Sequence, residues 1–365
     1  MVASIGLAQT VSPELGGASV EDLQHGIRPR QVGGAQGGPA IQGQEPVLRL
    51  VQPTAAASVP VEIRGFRLVG QTVFDEQALL HAVHANPGDY TLAQLEAVAV
   101  RIRDYYRRQG FLVADAVIPP QNAKDGVIEI RVVEGMLEPH ATVVDNDPVV
   151  AGKLQAIYEA LVCPSSSVGE ENLPPCKGVL ATDAVVQRVV LLGRENTGKE
   201  VYGSLSAGAE SGYTHLSMTT QPGRAFAGEV TFDNSGSSST GKWHAQGHVV
   251  ANSLLGVGDT LDLVLGISND PARYKFFQAD YSAPVGAQGW RVGVNVGQTQ
   301  YSLGGAFAAM QSTGVSRAVG LYARYPLVLR SDMRTDLTFS VKGGKRLTRT
   351  VRHAAYAWGM MAEAL

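Results

Sequence analysis

The sequence predicts two small α+β units followed by an antiparallel sheet of the transmembrane-barrel type. Three observations predict it. Residues 61–135 carry a strand, two helices and two strands in order. Residues 136–222 repeat that order more loosely. From residue 225 the hydrophobic period becomes two. A length of 365 residues is too long for one core of ordinary size, which agrees with several units. Lys plus Arg is 30 and Asp plus Glu is 33, a formal charge of -3, so a nucleic-acid partner driven by phosphate neutralisation is set aside. No stretch reaches the ~18 apolar residues of a membrane helix, so entry into a bilayer requires a barrel.

Residues 1–58 read as a signal-peptide remnant and linker. The start MVASIGLAQTVSPE is small and apolar, and Gly6-Leu7-Ala8 before Gln9 resembles a signal-peptidase site. Residues 9–58 are rich in Gly, Pro, Gln and Ala, with a short helix at most near Val20–Gly26. Cys163 and Cys176 flank a Ser-, Gly- and Pro-rich loop. That arrangement favours a local disulfide and an oxidising compartment, against the alternative of two unrelated thiols.

The first unit, residues 59–135, opens with the strand pattern VEIRGFRLV. Asp75 caps a helix over Glu76–His84, and Thr91 with Gln94 forms a capping box for the next one. Leu92, Leu95, Val98, Ile102 and Tyr105 then share one helical face. The strand patterns FLVADAVI and VIEIRVVEG follow, joined through Asp125-Gly126, and place the helices on one face of a three-stranded sheet. The second unit, residues 136–222, shows helix patterns at 149–162 and 181–192 and strand patterns at 200–208 and 214–220.

Gly193-Arg-Glu-Asn-Thr-Gly198-Lys199 matches GxxxxGK. Glu200 stands where a phosphate loop needs Ser or Thr, and a strand follows where a helix is required. The stretch therefore reads as a helix end and turn. His81 with His84, and His244 with His248, do not make metal sites. The first pair lacks an acid or thiol partner, and the second lies ~13 Å apart along one strand. No nucleophile–base pair or paired carboxylates appear, so the chain reads as no enzyme, without metal or cofactor.

In residues 223–365, Phe226, Val230 and Phe232 alternate with Ala227, Glu229, Thr231 and Asp233. Leu261, Leu263, Leu265 and Ile267 alternate with Asp262, Val264, Gly266 and Ser268. The same period recurs at Trp243–Ala251, Trp290–Val296 and Leu337–Lys342; Lys275–Tyr281 is aromatic-rich and less regular, and Val315–Tyr325 carries Tyr322 and Tyr325, about seven strands by residue 345, with the start of an eighth in Thr350–Trp358. His244, Gln246, His248, Asp262, Arg291 and Asn295 fall on the polar, lumen-facing side. A soluble sandwich can alternate in this way. Strand length, aromatic residues near strand ends and the small polar inner face favour the barrel.

The run YYRRQGFLVADAVIPPQNAKDGVIEIRVVEG resembles the POTRA domain of two-partner secretion outer-membrane transporters, the ShlB/FhaC/HecB (TpsB) hemolysin secretion/activation family. The matching points are Tyr105 or Tyr106, Gly110-Phe111, Pro120-Gln121, Asp125-Gly126 and Val133-Glu134-Gly135. The block FDNSGSSSTGKWHAQGHVVANSLLGVGDTLDL resembles the opening of that family's barrel, and Tyr325-Pro326 a later strand-to-turn step. The resemblance covers roughly residues 60–350. It implies POTRA domains in the periplasm and a barrel in the outer membrane, of which only about the first half is present. Ser235–Gly241 is then extracellular and Ser253–Asp259 a periplasmic turn.

The implied function is recognition and translocation of a large hemolysin- or adhesin-type exoprotein with an N-terminal secretion domain. Outer-membrane lipid and the barrel-assembly machinery are the other implied partners. Arg101, Arg103, Tyr105, Tyr106, Arg107 and Arg108, on one helix, are the candidate contact patch for the exoprotein. The alternative is a truncated, non-transporting POTRA-containing product that binds or chaperones.

Overall fold

The computed structural model describes residues 42–43, 60–122, 125–163 and 176–349. The expected eighth strand at Thr350–Trp358, the helix near Val20–Gly26 and the signal-peptide remnant lie outside the described residues.

A two-residue strand, β1 (Gln42–Gly43), precedes the first unit. That unit contains β2 (Val61–Ile63), β3 (Gly65–Val69), α1 (Glu76–Ala82), β4 (Gly88–Tyr90), α2 (Leu92–Arg108), β5 (Asp115–Val117) and β6 (Val127–Val133). The sheet order is β3-β6-β5, with β3 parallel and β5 antiparallel to β6, and β2 pairs separately with β4. Asp75 caps α1, and Thr91 with Gln94 closes the capping box of α2. Ile128, Ile130 and Val132 point into a core shared with Leu79, Leu95, Val98, Ile102 and Tyr106.

The buried face of α2 differs from the sequence expectation at both ends and gains Ala99 between them. Leu95, Val98, Ala99, Ile102 and Tyr106 are buried, Leu92 is exposed, and Tyr105 lies at the edge of the core. Leu92 sits in the first turn, at the N-terminal end of the stripe. The long pattern FLVADAVI yields only the three residues of β5, because Phe111 turns back into the aromatic cluster of Phe74, Tyr105 and Tyr106.

The second unit contains β7 (Met136–Leu137), β8 (Thr142–Val144), α3 (Pro148–Val162), α4 (Asp183–Thr197), β9 (Glu200–Ala207) and β10 (Tyr213–Gln221). Here α4 runs five residues beyond the expected end, until Gly198 caps it in the left-handed conformation at φ 70°. The central pair β9–β10 is antiparallel; β7 and β8 add to β10 in parallel, and β1 adds to β9. Leu154, Tyr158, Val186, Val190, Val201 and Leu216 form the core between the helices and this sheet. A disulfide joins Cys163, at the end of α3, to Cys176, with Cα atoms 5.6 Å apart. The two units are tied by backbone bonds from Asp183 to Gly110 (2.8 Å) and from Ala181 to Gly135 (3.0 Å).

The third unit is an antiparallel meander: β11 (Phe226–Asp233), β12 (His244–Asn252), β13 (Thr260–Ser268), β14 (Tyr274–Val285), β15 (Trp290–Ser302), β16 (Thr313–Leu329) and β17 (Arg334–Arg349). Several of these strands outrun their sequence patterns. The outward positions of β15 and β16 change from Val and Leu to Gln298, Gln300 and Arg317, which breaks the apolar signal while pairing continues. Among the described residues the sheet does not close on itself, and β11 and β17 are its edges.

Candidate functional site: the polar face of the large sheet and its junction with the second unit

Register fixes two chemically different faces. Across the ladder, Val230, Gly247, Leu265 and Phe277 stand side by side, as do Val296, Val319 and Gly343. This face is apolar and uncovered: Phe232 and Val341 are each 76% exposed and Leu321 is 62% exposed. One residue along, every side chain is on the opposite face. That face carries His244, Gln246, His248, Asp262, Arg291 and Asn295 together.

The polar face is internally bonded. His248 Nε2 lies 2.9 Å from Asp262 Oδ1 on the next strand. The Tyr322 hydroxyl donates to Asp280 Oδ1 at 2.7 Å. Tyr322 lies flat across Gly293, where a Cβ would come within 2.3 Å of the ring, so the glycine makes room for it. His244 stacks on Tyr274 with ring centroids 5.3 Å apart.

At the turn end of this face, a cavity of about 790 Å³ opens against the C-terminal end of α4. Its charged lining includes Glu229, His248, Asp262, Asp280, Arg291 and Arg324 from the sheet, with Arg194, Glu195 and Lys199 from the second unit. Arg291, only 6% exposed, closes the junction. Its guanidinium donates to the Glu195 carbonyl (2.7 Å) and the Gly258 carbonyl (2.9 Å), and more weakly to Ser282.

The GxxxxGK match lies in this contact. Glu195 pairs with Arg334, Asn196 donates to the Gly286 carbonyl at 3.4 Å, and the Thr197 carbonyl accepts from Ser253 Oγ at 3.3 Å. The turn over 253–259 approaches so closely that a Cβ on Gly258 would sit 2.2 Å from the Asn196 carbonyl oxygen. Earlier on α4, Arg188 donates to the Pro326 carbonyl (2.8 Å), and the Gln187 Oε1 accepts from the Ser331 backbone N–H (2.8 Å). One helix therefore holds three turns of the sheet. Nothing within residues 193–199 marks a contact made with residues 56–139 positions away.

Lys199 completes the local order by pairing with Asp145 at 2.8 Å. Burial would raise the Asp145 carboxyl, but bonds from Lys199, Thr220 and the Asp147 backbone hold it below the usual range.

The expected patch on α2 divides. Tyr106 is fully buried and donates to Glu134 Oε1 at 2.8 Å, so it belongs to the core and not to a contact surface. Tyr105 packs edge-on against Phe74. Arg103 pairs with Asp104 (3.1 Å), and Arg101 donates to the Val83 carbonyl (2.9 Å). Arg101, Arg107 and Arg108 are exposed. Glu134 gathers four donors: the Thr72 N–H and hydroxyl, the Val73 N–H and the Tyr106 hydroxyl. Burial would raise its pKa, and these bonds outweigh burial and lower it; Tyr106 is pushed up by burial and by the Glu134 carboxylate.

Among the described residues no group of three His, Cys, Asp or Glu could hold a metal ion. No described helix is long and apolar enough to cross a membrane, which does not bear on a β-barrel.

Comparison with known proteins follows the same division. Residues 61–135 match the family model of the ShlB-type POTRA domain. The heme/hemopexin transporter protein HuxB of Haemophilus influenzae (strain 86-028NP) is 27% identical over 253 residues, 69% of this chain and 42% of HuxB. The outer membrane transporter CdiB of Dickeya dadantii is 24% identical over 237 residues, 64% of this chain and 38% of that protein. The chain thus spans about two fifths of the length of these curated relatives. The solved structure of CdiB from Escherichia coli shares the fold, with a TM-score of 0.58 at 21% identity over 82% of this chain and 54% of that one. Residues 212–349 match the model of the haemolysin secretion/activation protein ShlB/FhaC/HecB, so the first unit and the large sheet are both similar to members of that family.

Proposed function

We propose that this protein acts in the outer membrane as the transporter of a two-partner secretion pair. The observation that carries this reading is the two-faced sheet. Its uncovered side is apolar, its other side is charged and bonded, and a soluble domain would bury the former. The residues 61–135 and the second unit would lie in the periplasm, the second being a further POTRA-like domain. They would receive an extended secreted exoprotein by strand addition or groove binding and deliver it to the polar face. Outer-membrane lipid would cover the apolar face, and barrel-assembly machinery would insert it. Transfer needs no covalent chemistry. Arg107 and Arg108, exposed at the C-terminal end of α2, are the cations offered to the exoprotein, and replacing both by Glu should weaken its capture in a pull-down.

Cysteine labelling tests the placement. Ser238→Cys lies in the connection between β11 and β12, and Leu255→Cys in the turn between β12 and β13 at the α4 end. A membrane-impermeant maleimide should label Ser238→Cys on intact cells, and Leu255→Cys only after the outer membrane is opened. Equal labelling, or the reverse order, contradicts the reading.

The edges β11 and β17 favour a second reading. Unpaired edge groups in hydrocarbon cost several kcal/mol each, so a sheet left open would serve as a binding product that does not conduct. Channel activity in liposomes separates the two readings.

A further inference from the structure

At the outward register positions of β11–β17 there is no Asp or Glu. Among the described side chains the charged residues at those positions are Lys275, Arg317 and Lys345, all cations. All three lie in the half of the sheet remote from α4, where Gln298, Arg317 and Lys345 continue the row of Val230, Gly247, Leu265 and Phe277. At the α4 end the same face carries Trp290 tilted against Tyr325, with centroids 5.0 Å apart. About 26 Å of β15 separates Trp290 from Gln298, which opens the cationic rim.

The rim has an arrangement that needs an anion. Gln298, Arg317 and Lys345 are consecutive cross-strand neighbours on β15, β16 and β17. Like charges directly opposite each other destabilise a sheet. Gln298 Oε1 accepts one bond from Arg317 Nε at 2.9 Å, which orients the guanidinium and leaves its terminal N–H groups for another acceptor. Arg317, Lys345 and Lys275 are exposed. Lys275 stands at the end of an apolar groove of about 610 Å³ lined by Val230, Gly247, Leu265, Ile267 and Phe277. Nothing lies within 4 Å of a Cβ built on Gly247, so the groove floor is open.

We infer that this rim is a binding site for a phosphate-bearing glycolipid of the outer leaflet. Arg317 and Lys345 clamp a headgroup phosphate, Lys275 contacts a second, and an acyl chain lies in the groove beneath Lys275. Arg matches phosphate through paired N–H donors, and the aliphatic stems of both lysines extend along the apolar rows. The inference rests on the membrane placement proposed above.

The test uses the full chain in phosphatidylcholine nanodiscs that contain equal amounts of bisphosphorylated lipid A and its dephosphorylated form. Native mass spectrometry reads the ratio of the two bound to the ejected protein. The wild type should prefer the phosphorylated form on the order of tenfold. The double variant Arg317→Gln, Lys345→Gln should bring the ratio close to one. The charge-preserving pair Arg317→Lys, Lys345→Arg and the inward-facing Arg346→Gln should keep the preference. A wild-type ratio near one in inserted protein, or loss of preference with Arg346→Gln alone, overturns the glycolipid site and leaves the membrane placement standing. Failure of the sheet to gain protease protection in the nanodisc overturns both.

Discussion

The first unit and the large sheet use the same two-residue period in opposite senses. In β6, Ile128, Ile130 and Val132 are enclosed by α2, while Glu129 and Arg131 face outward. In β15, Val292, Val294 and Val296 are exposed, while Arg291 is buried among carbonyls. Alternation by itself says only that a strand separates two media. Which medium is on which side is told by what covers each face: helices with Leu, Val and Tyr in the first unit, and no described residue over the apolar face of the sheet.

The comparison can be broken most severely at its two apolar centres. Ile130→Asp buries a carboxylate in the first unit and should cost at least about 4 kcal/mol, read as loss of its cooperative urea transition. The counterpart Val294→Arg should cost about 2–4 kcal/mol in a bilayer but stay within about 0.5 kcal/mol if water covers that face. Reversible folding into vesicles measures the difference.

Glu134 sharpens the contrast between a buried carboxylate that serves the fold and the sheet's polar face. Glu134→Ala leaves four donors without their acceptor and should destabilise the first unit by about 3 kcal/mol. Its folded pKa is lowered, so its stabilisation is complete above the unfolded value near ~4.3 and is lost as pH falls through the folded value. Urea melts of the first unit should therefore weaken below about pH 4, and Glu134→Gln should flatten that dependence.

At the junction, Arg291→Leu removes the donors to Glu195 and Gly258 and should cost about 2 kcal/mol. The expected sign is a broadened spin-label distance distribution between the second unit and the sheet, with both still folded. The smallest effect is expected at His248→Gln, less than about 1 kcal/mol, because the Asp262 partner remains part-exposed and Gln can still donate to it.

Much of this architecture was legible in the residues, because local rules are strong where neighbours in sequence are neighbours in space. Asp75, Thr91 and Gln94 mark their helix starts, and the alternation of β11 to β13 sets both faces. Asp125-Gly126 and Val133-Glu134-Gly135 carried the family resemblance, and Glu134 proves to be the acceptor that ties Thr72, Val73 and Tyr106 together. Other features were not legible. Tyr105 and Tyr106 differ by one position on a helix, and only the packed sheet decides which is enclosed. The ends of β15 to β17 were missed because their outward residues turn polar while backbone pairing, which leaves no mark on side-chain type, continues. The joint around Asn196 depends on three turns distant in sequence, and nothing within GRENTGK records them.

The most direct test of the central assignment is spin-label accessibility along β15 in reconstituted bilayers, one position at a time from residue 291 to 297. Positions 292, 294 and 296 should be reached by dissolved oxygen and shielded from a water-soluble nickel chelate, with the opposite response at 295 and 297. A profile without that alternation, or with the chelate reaching Val292, Val294 and Val296, would contradict the assignment of the apolar face to lipid.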